Sequence, residues 1–216
     1  MKTETQKNTR ALVESSVLIA IATILSLFKL YEMPWGGSVT LASMLPLIII
    51  AYRHGLRYGL ISSLAYSLLQ MLLGFSTISA AFLPGDDQMV FYKAVLMVLL
   101  DYVFAFSLVG LSALFMKKSL SASRSLTIGA VFGCGCRFVM HFLSGYILWG
   151  SWAAGFFEDL DKLTGGTFGS SVVQNLSGEG LAAFYSLFYN GAYMLPEMII
   201  TALLAFFIGR LPQIDR

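Results

Sequence analysis

Four ionisable side chains stand inside otherwise apolar runs of this sequence: Asp101, Arg137, His141 and Glu197. Charged or ionisable groups are costly in a membrane segment, so they face a bundle interior and mark sites of pairing, binding or coupling. Gly133, Arg137, His141, Gly145 and Trp149 recur every four residues, which puts them on one side of a helix. Toward one end of that stripe His141, Gly145 and Trp149 form a wall with room for something flat. The same pattern also suits a helix–helix seam with a hydrogen-bonded His and an interfacial Trp, and spacing alone leaves both open. Asp101 is followed by Tyr102. This lone carboxylate calls for a partner: Arg137 as an ion pair, or a cationic ligand. Asn190, Tyr193 and Glu197 make a second polar stripe, preceded by Tyr185 and Tyr189. Glu197 lies deeper, after Pro196, and reads as structural or coupling. The turn Tyr31–Ser38 has Trp35 at its apex beside two glycines, either an interfacial anchor or a lid.

These groups need a scaffold, and composition restricts it. Of 216 residues, 57% are hydrophobic and only 12% charged, with mean hydropathy +0.75. A soluble domain carries about 25% charged residues, so lipid must replace water around most of this chain. Disorder is excluded by 14% aromatic content, and a scattered net charge of +2 gives no footprint for nucleic acid. The reading is an all-α integral membrane protein, a single membrane domain over 1–216. Its six transmembrane helices run about 11–31, 39–52, 55–74, 94–116, 126–150 and 183–209; a span needs about 20 mostly apolar residues. The second is short and contains Pro46. With the N-terminus in the cytoplasm, ten Lys and Arg fall on the inner side, against Lys93 and Lys162 outside. That bias puts both termini in the cytoplasm. Two long outer loops, about 75–93 and 151–182, remain, the second partly mobile through its Gly pairs.

Walker A and dinucleotide-binding motifs are missing, as is any metal-ligand spacing, so neither a metal nor a cofactor is expected and the chain does not hydrolyse ATP itself. Cys134 and Cys136, two apart on a helix, point in different directions and read as packing residues.

Several blocks together resemble a known family. They are Met33–Thr40, Ser43–Pro46, Tyr52–Leu60, Leu100-Asp101-Tyr102, Arg137–Gly145, Trp149-Gly150-Ser151 and Tyr185–Glu197. In order and spacing they are similar to the thiamine-specific substrate-binding (S) component of energy-coupling-factor (ECF) vitamin importers. The resemblance implies a non-enzymatic six-helix protein of the cell membrane, bacterial in type. It would bind thiamine with high affinity near the outer face and dock on a transmembrane coupling protein with two ATPase subunits. Carried over residue by residue, it implies that Trp35 covers the site and that Asp101, Tyr102, His141, Gly145, Trp149, Tyr185 and Asn190 bind the ligand. The family's pair of small residues that packs on the coupling protein falls at Ser16 and Ala20, with Ser replacing one alanine. The acidic position is Asp where some members have the longer Glu, and both long outer loops are extended.

The residue chemistry suits that ligand. Thiamine joins a permanently cationic thiazolium to a neutral aminopyrimidine, and cation–π contact with Trp is worth about 0.5 to 2 kcal/mol. Trp35, Trp149, Tyr102 and Tyr185 offer rings, Asp101 a charge, and His141 and Asn190 hydrogen bonds. An anionic vitamin would call for a cation, and Arg137 keeps that open. The alternatives are an S component for another flat vitamin such as riboflavin, an intramembrane hydrolase using Asp101 and His141 but lacking a recognisable nucleophile, and a self-sufficient channel or carrier.

Overall fold

A computed structural model of the chain describes residues 4–33, 36–85, 88–116 and 120–214. Trp35, Asp86, Asp87, Lys117 and Lys118 lie outside the described residues, as do Lys2 and Arg216. Helix α1 spans Glu4–Leu27 and leads into an antiparallel hairpin of β1 (Lys29–Glu32) and β2 (Ser38–Thr40), with Lys29 opposite Thr40 and Glu32 opposite Ser38. Helix α2 follows over Leu45–Leu73, and α3 over Phe75–Phe82. Helix α4 runs Phe91–Phe115, α5 Ala122–Leu148, α6 Ala153–Thr164, α7 Phe168–Asn175 and α8 Gly178–Ile208.

Among the described residues, four helices are long and apolar enough to cross a membrane: α1, α4, α5 and α8. α2 with α3 makes a fifth if the pair, bent by 69°, counts as one span. The expected second and third segments therefore form a single helical region. That region is not straight. Gly55 has φ 81° and ψ −176°, a conformation essentially reserved for glycine. Along an unbroken helix Ala51 and Gly59 would stand about 12 Å apart, yet a methyl built on Gly59 lies 2.9 Å from Ala51 Cβ. The chain doubles back at Gly55, and α2 is two antiparallel limbs. The first limb is only about 15 Å long, because residues expected to begin the second segment are spent on β2 and the turn before Leu45.

Small residues draw the helices together, as packing in lipid demands. Gly59 on the second limb of α2 meets the backbone of Gly110 on α4, and Gly133 on α5 meets the Val109 carbonyl. At one end of the bundle, Glu14 on α1 pairs with Arg10, with Arg53 at 3.2 Å and with His54 at 2.9 Å, while Arg53 also donates to the Gln213 carbonyl. The α2 reversal and the C-terminal segment are thus gathered beside α1. Ser26 lies near the other end of α1, about 18 Å along the helix from Glu14, and faces a cavity.

The long connections are not loose. Within 75–93, α3 returns toward α4, with the Phe82 and Phe91 rings 5.8 Å apart. Within 151–182, where glycine pairs suggested mobility, α6 and α7 form a helical pair sealed by aromatic rings. Phe156 sits 5.2 Å from Tyr185, and Phe157 sits 5.8 Å from Phe184. Asp161 closes the pair by accepting from the Gly169 and Ser170 amides at 2.6 and 2.7 Å and from the Ser170 hydroxyl at 2.6 Å. Gly165 and Gly166 make the corner between α6 and α7, while Gly178 and Gly180 lie in the first turn of α8.

Candidate ligand-binding site

A cavity of about 390 Å³ opens at the hairpin end of the bundle, walled by residues of α1, the hairpin, α2, α3, α4, α5 and α8. Small-molecule pockets commonly run about 300–1,000 Å³. Asp101, Tyr102, His141, Gly145, Trp149, Tyr185 and Asn190 all line it. Trp35, the remaining residue the sequence pointed to, lies outside the described residues, although its neighbours Gly36 and Gly37 are at the rim.

Each wall has a local cause. Between Val98 and Phe104, α4 widens to π-helical turns, a distortion frequent at functional sites, and adjacent residues Asp101 and Tyr102 both reach the cavity there. A methyl on Gly145 would collide with Ser186 Oγ and come within 2.9 Å of Asn190 Nδ2. This glycine therefore admits the side chains of α8 as well as leaving a flat stretch of wall. On α8, Tyr185, Tyr189 and Tyr193 form a ladder at intervals of four, with ring centroids 5.7 and 6.3 Å apart. All three line the cavity. Trp149 stands at the C-terminal end of α5, edge-on to Trp152 at 6.0 Å.

The polar groups are mutually ordered. Arg137 Nε donates to His141 Nε2 at 3.3 Å, and its guanidinium lies 4.5 Å over the Phe106 ring. Arginine can only donate, so Nε2 of His141 accepts, and the ring proton belongs on Nδ1. This tautomer is assigned from the network. Nδ1–H then donates to Asp101 Oδ1 at 3.0 Å, and Ser144 donates to Oδ2 at 2.6 Å. Of the two partners the sequence left open for Asp101, the Arg137 ion pair does not form: Arg137 reaches the carboxylate only through the imidazole, and among the described residues Asp101 pairs with no Lys or Arg. Asn190 donates to the His141 carbonyl at 3.1 Å and accepts from the Tyr193 hydroxyl at 2.8 Å, fixing its amide orientation.

The connection between β1 and β2 is strapped to α8. Tyr189 donates to the Gly36 carbonyl at 2.8 Å. Gly37, at φ 88°, packs so closely that a methyl there would lie 2.6 Å from the Tyr193 ring. Glu197 is wholly buried and accepts from the Thr40 amide and hydroxyl at 2.5 and 2.8 Å, the structural task expected of it. Arrays of histidine, cysteine and carboxylate suited to a metal ion are absent among the described residues; Cys134 and Cys136 are free thiols. Sequence reasoning missed Ser144, Tyr66 and Gln70 in the cavity wall. Ser144 does have a signal, since it falls one helical turn after His141.

An all-helical bundle with several membrane-length helices and a ring-walled cavity at one end defines a multi-pass membrane protein that takes a small ligand. The model of the thiamine transporter protein family matches residues 12–156, and this chain belongs to that family, one of transporters rather than enzymes. The thiamine transporter ThiT of Bacillus subtilis (strain 168) is 30% identical over 204 residues, covering 89% of this chain and 86% of that protein. A solved structure of ThiT from Listeria monocytogenes, 22% identical, covers 97% of this chain and 98% of that one with a TM-score of 0.67. It shares the fold.

Proposed function

We propose that this chain is the thiamine-binding S component of an ECF-type importer. The observation that carries the reading is a ring-walled cavity whose half-buried carboxylate, Asp101, has no Lys or Arg as ion-pair partner among the described residues. A thiazolium supplies the missing positive charge, and the tyrosine ladder and Trp149 supply faces for both rings. His141, Asn190 and Tyr102 line the same space and meet the polar edge of the pyrimidine, with Gly145 as the flat wall and Tyr185 at the rim. Trp35 is assigned to cover the ligand from its resemblance to the family's loop-one residue alone. Family membership and the ThiT names of its relatives support thiamine as the ligand.

The chain crosses the membrane as six segments, counting the two limbs of α2 separately, with both termini in the cytoplasm. Supporting this is the gathering of Glu14, Arg53 and Gln213 at the end of the bundle opposite the cavity, together with the excess of Lys and Arg assigned to that side. The cavity then opens outward. Ser16 and Ala20 are exposed on α1 and form the contact for the coupling protein, which with two ATPase subunits drives release inward; no cofactor takes part.

Isothermal titration of the purified chain with thiamine, with riboflavin and biotin as comparators, tests the ligand. Saturable one-to-one binding of thiamine alone is expected, and preference for another vitamin overturns the assignment. Liposomes containing only this chain are expected to bind thiamine without sustained uptake, which begins when the coupling protein and ATPases are added.

A further inference from the structure

Hydroxyl groups inside helices ordinarily turn back on the carbonyl four residues earlier. Ser16, Thr23 and Thr127 do so here, at 2.9, 2.9 and 2.8 Å. Ser144 does not. It is 1% exposed, yet its hydroxyl leaves its own helix and donates across to Asp101 Oδ2 at 2.6 Å. His141, one turn earlier on the same face of α5, takes Oδ1. An aspartate has two rotatable side-chain bonds, and with each oxygen tied to a separate donor neither remains free. Both donors approach from α5, and the Asp101 side chain remains 21% exposed, on the cavity wall.

We infer that Ser144 is a positioning residue: it fixes the plane of the Asp101 carboxylate so that its unused lone pairs are presented to the ligand, sparing the ligand the cost of ordering it. This rests on the thiamine-binding reading.

The test is titration of thiamine into the purified full chain, comparing wild type with Ser144→Ala, Ser144→Cys, Asp101→Asn and the Asp101→Asn/Ser144→Ala double variant. Cysteine fills the same space but is a feeble donor; it keeps the fold intact where the alanine cavity alone would loosen it, and the thermal midpoint of each empty protein checks this. Both Ser144 variants should weaken binding about tenfold, as expected when a charged group loses a hydrogen bond. In the Asp101→Asn background Ser144→Ala should cost nothing more, because a Ser that merely packs would cost the same in both backgrounds. Wild-type affinity in Ser144→Cys, or equal losses in the two backgrounds, overturns the positioning role. The Cys variant decides the matter even where Asp101→Asn binds too weakly to titrate. A folded wild type that ignores thiamine overturns the functional reading, and the positioning role falls with it; wild type binding with Ser144→Ala unchanged overturns the positioning role alone.

Discussion

Trp149 shows how much a single side chain can decide here. It is the cavity's indole among the described residues, and its ring meets that of Trp152 in a T-shaped contact. Trp149→Ala is expected to weaken thiamine binding at least tenfold, since cation–π contact and ring burial each contribute about a kilocalorie per mole or more; isothermal titration reads this directly, and normal binding would show that the indole is not a ligand wall. Glu197→Ala removes the acceptor for both the amide and the hydroxyl of Thr40. Leaving buried donors unpaired costs about 1–3 kcal/mol each, so the thermal midpoint should fall by several degrees even without ligand, and a midpoint equal to wild type would remove this clasp from the account. At this scale the sequence was informative where chemistry and period coincide, as in the stripe Arg137, His141, Gly145, Trp149. It was silent on pairings such as Thr40 with Glu197, 157 residues apart, and it left Asp101 open between Arg137 and a cationic ligand without pointing to His141 or Ser144. Charge suggested Arg137, whereas the short aspartate side chain and the geometry of α5 favour the nearer hydroxyl and imidazole.

Among the elements, α2 departs most from what hydropathy conveys. Two apolar stretches separated by Arg53-His54-Gly55 read as two helices; the fold makes one region that reverses through a single residue. Hydropathy records the apolar stretches, but the reversal lies in the dihedrals of Gly55. Gly55→Ala should therefore destabilise the protein by about 1–3 kcal/mol, measured as a lowered midpoint in a denaturant titration, because the added methyl clashes with its own backbone at this φ even though no atom elsewhere stands within 4 Å of it. The α6–α7 pair was hidden for the converse reason. Its glycines advertise flexibility, while the forces that order it are aromatic contacts to α8 and the capping carboxylate of Asp161. The Ser170 hydroxyl, followed by the Ser170 and Gly169 amides, holds the Asp161 carboxyl below the ordinary carboxylate value. A depressed folded value means the cap is fully present above the unfolded pKa and is lost as pH falls through the folded one. Protection factors for hydrogen exchange at the Gly169 and Ser170 amides should stay high from neutral pH down and collapse only below the ordinary aspartate value; a collapse already at pH 6 would show that the cap is not what orders the pair.

For the whole molecule, the surfaces proposed for binding and for docking are different. The cavity is lined by seven elements at one end, the hairpin counted as one, while the body of α1 packs mainly on α2 and turns Leu12, Val13, Val17 and Ile24 outward beside Ser16 and Ala20. Ser16→Leu should leave thiamine affinity unchanged in titration while reducing uptake several-fold in liposomes that hold the coupling protein and ATPases. Unimpaired uptake would move the docking face elsewhere.

The strap offers its own carbonyl to Tyr189, and its approach to Tyr193 depends on Gly37 having no side chain at all. On the strap's side this attachment is written in main-chain groups, while α8 contributes two of the rings that also line the cavity. A designer wishing to retune what the cavity accepts can alter Trp149, Tyr185 and Asp101 and leave the strap's anchorage as it is, provided Tyr189 and Tyr193 are kept and position 37 stays bare.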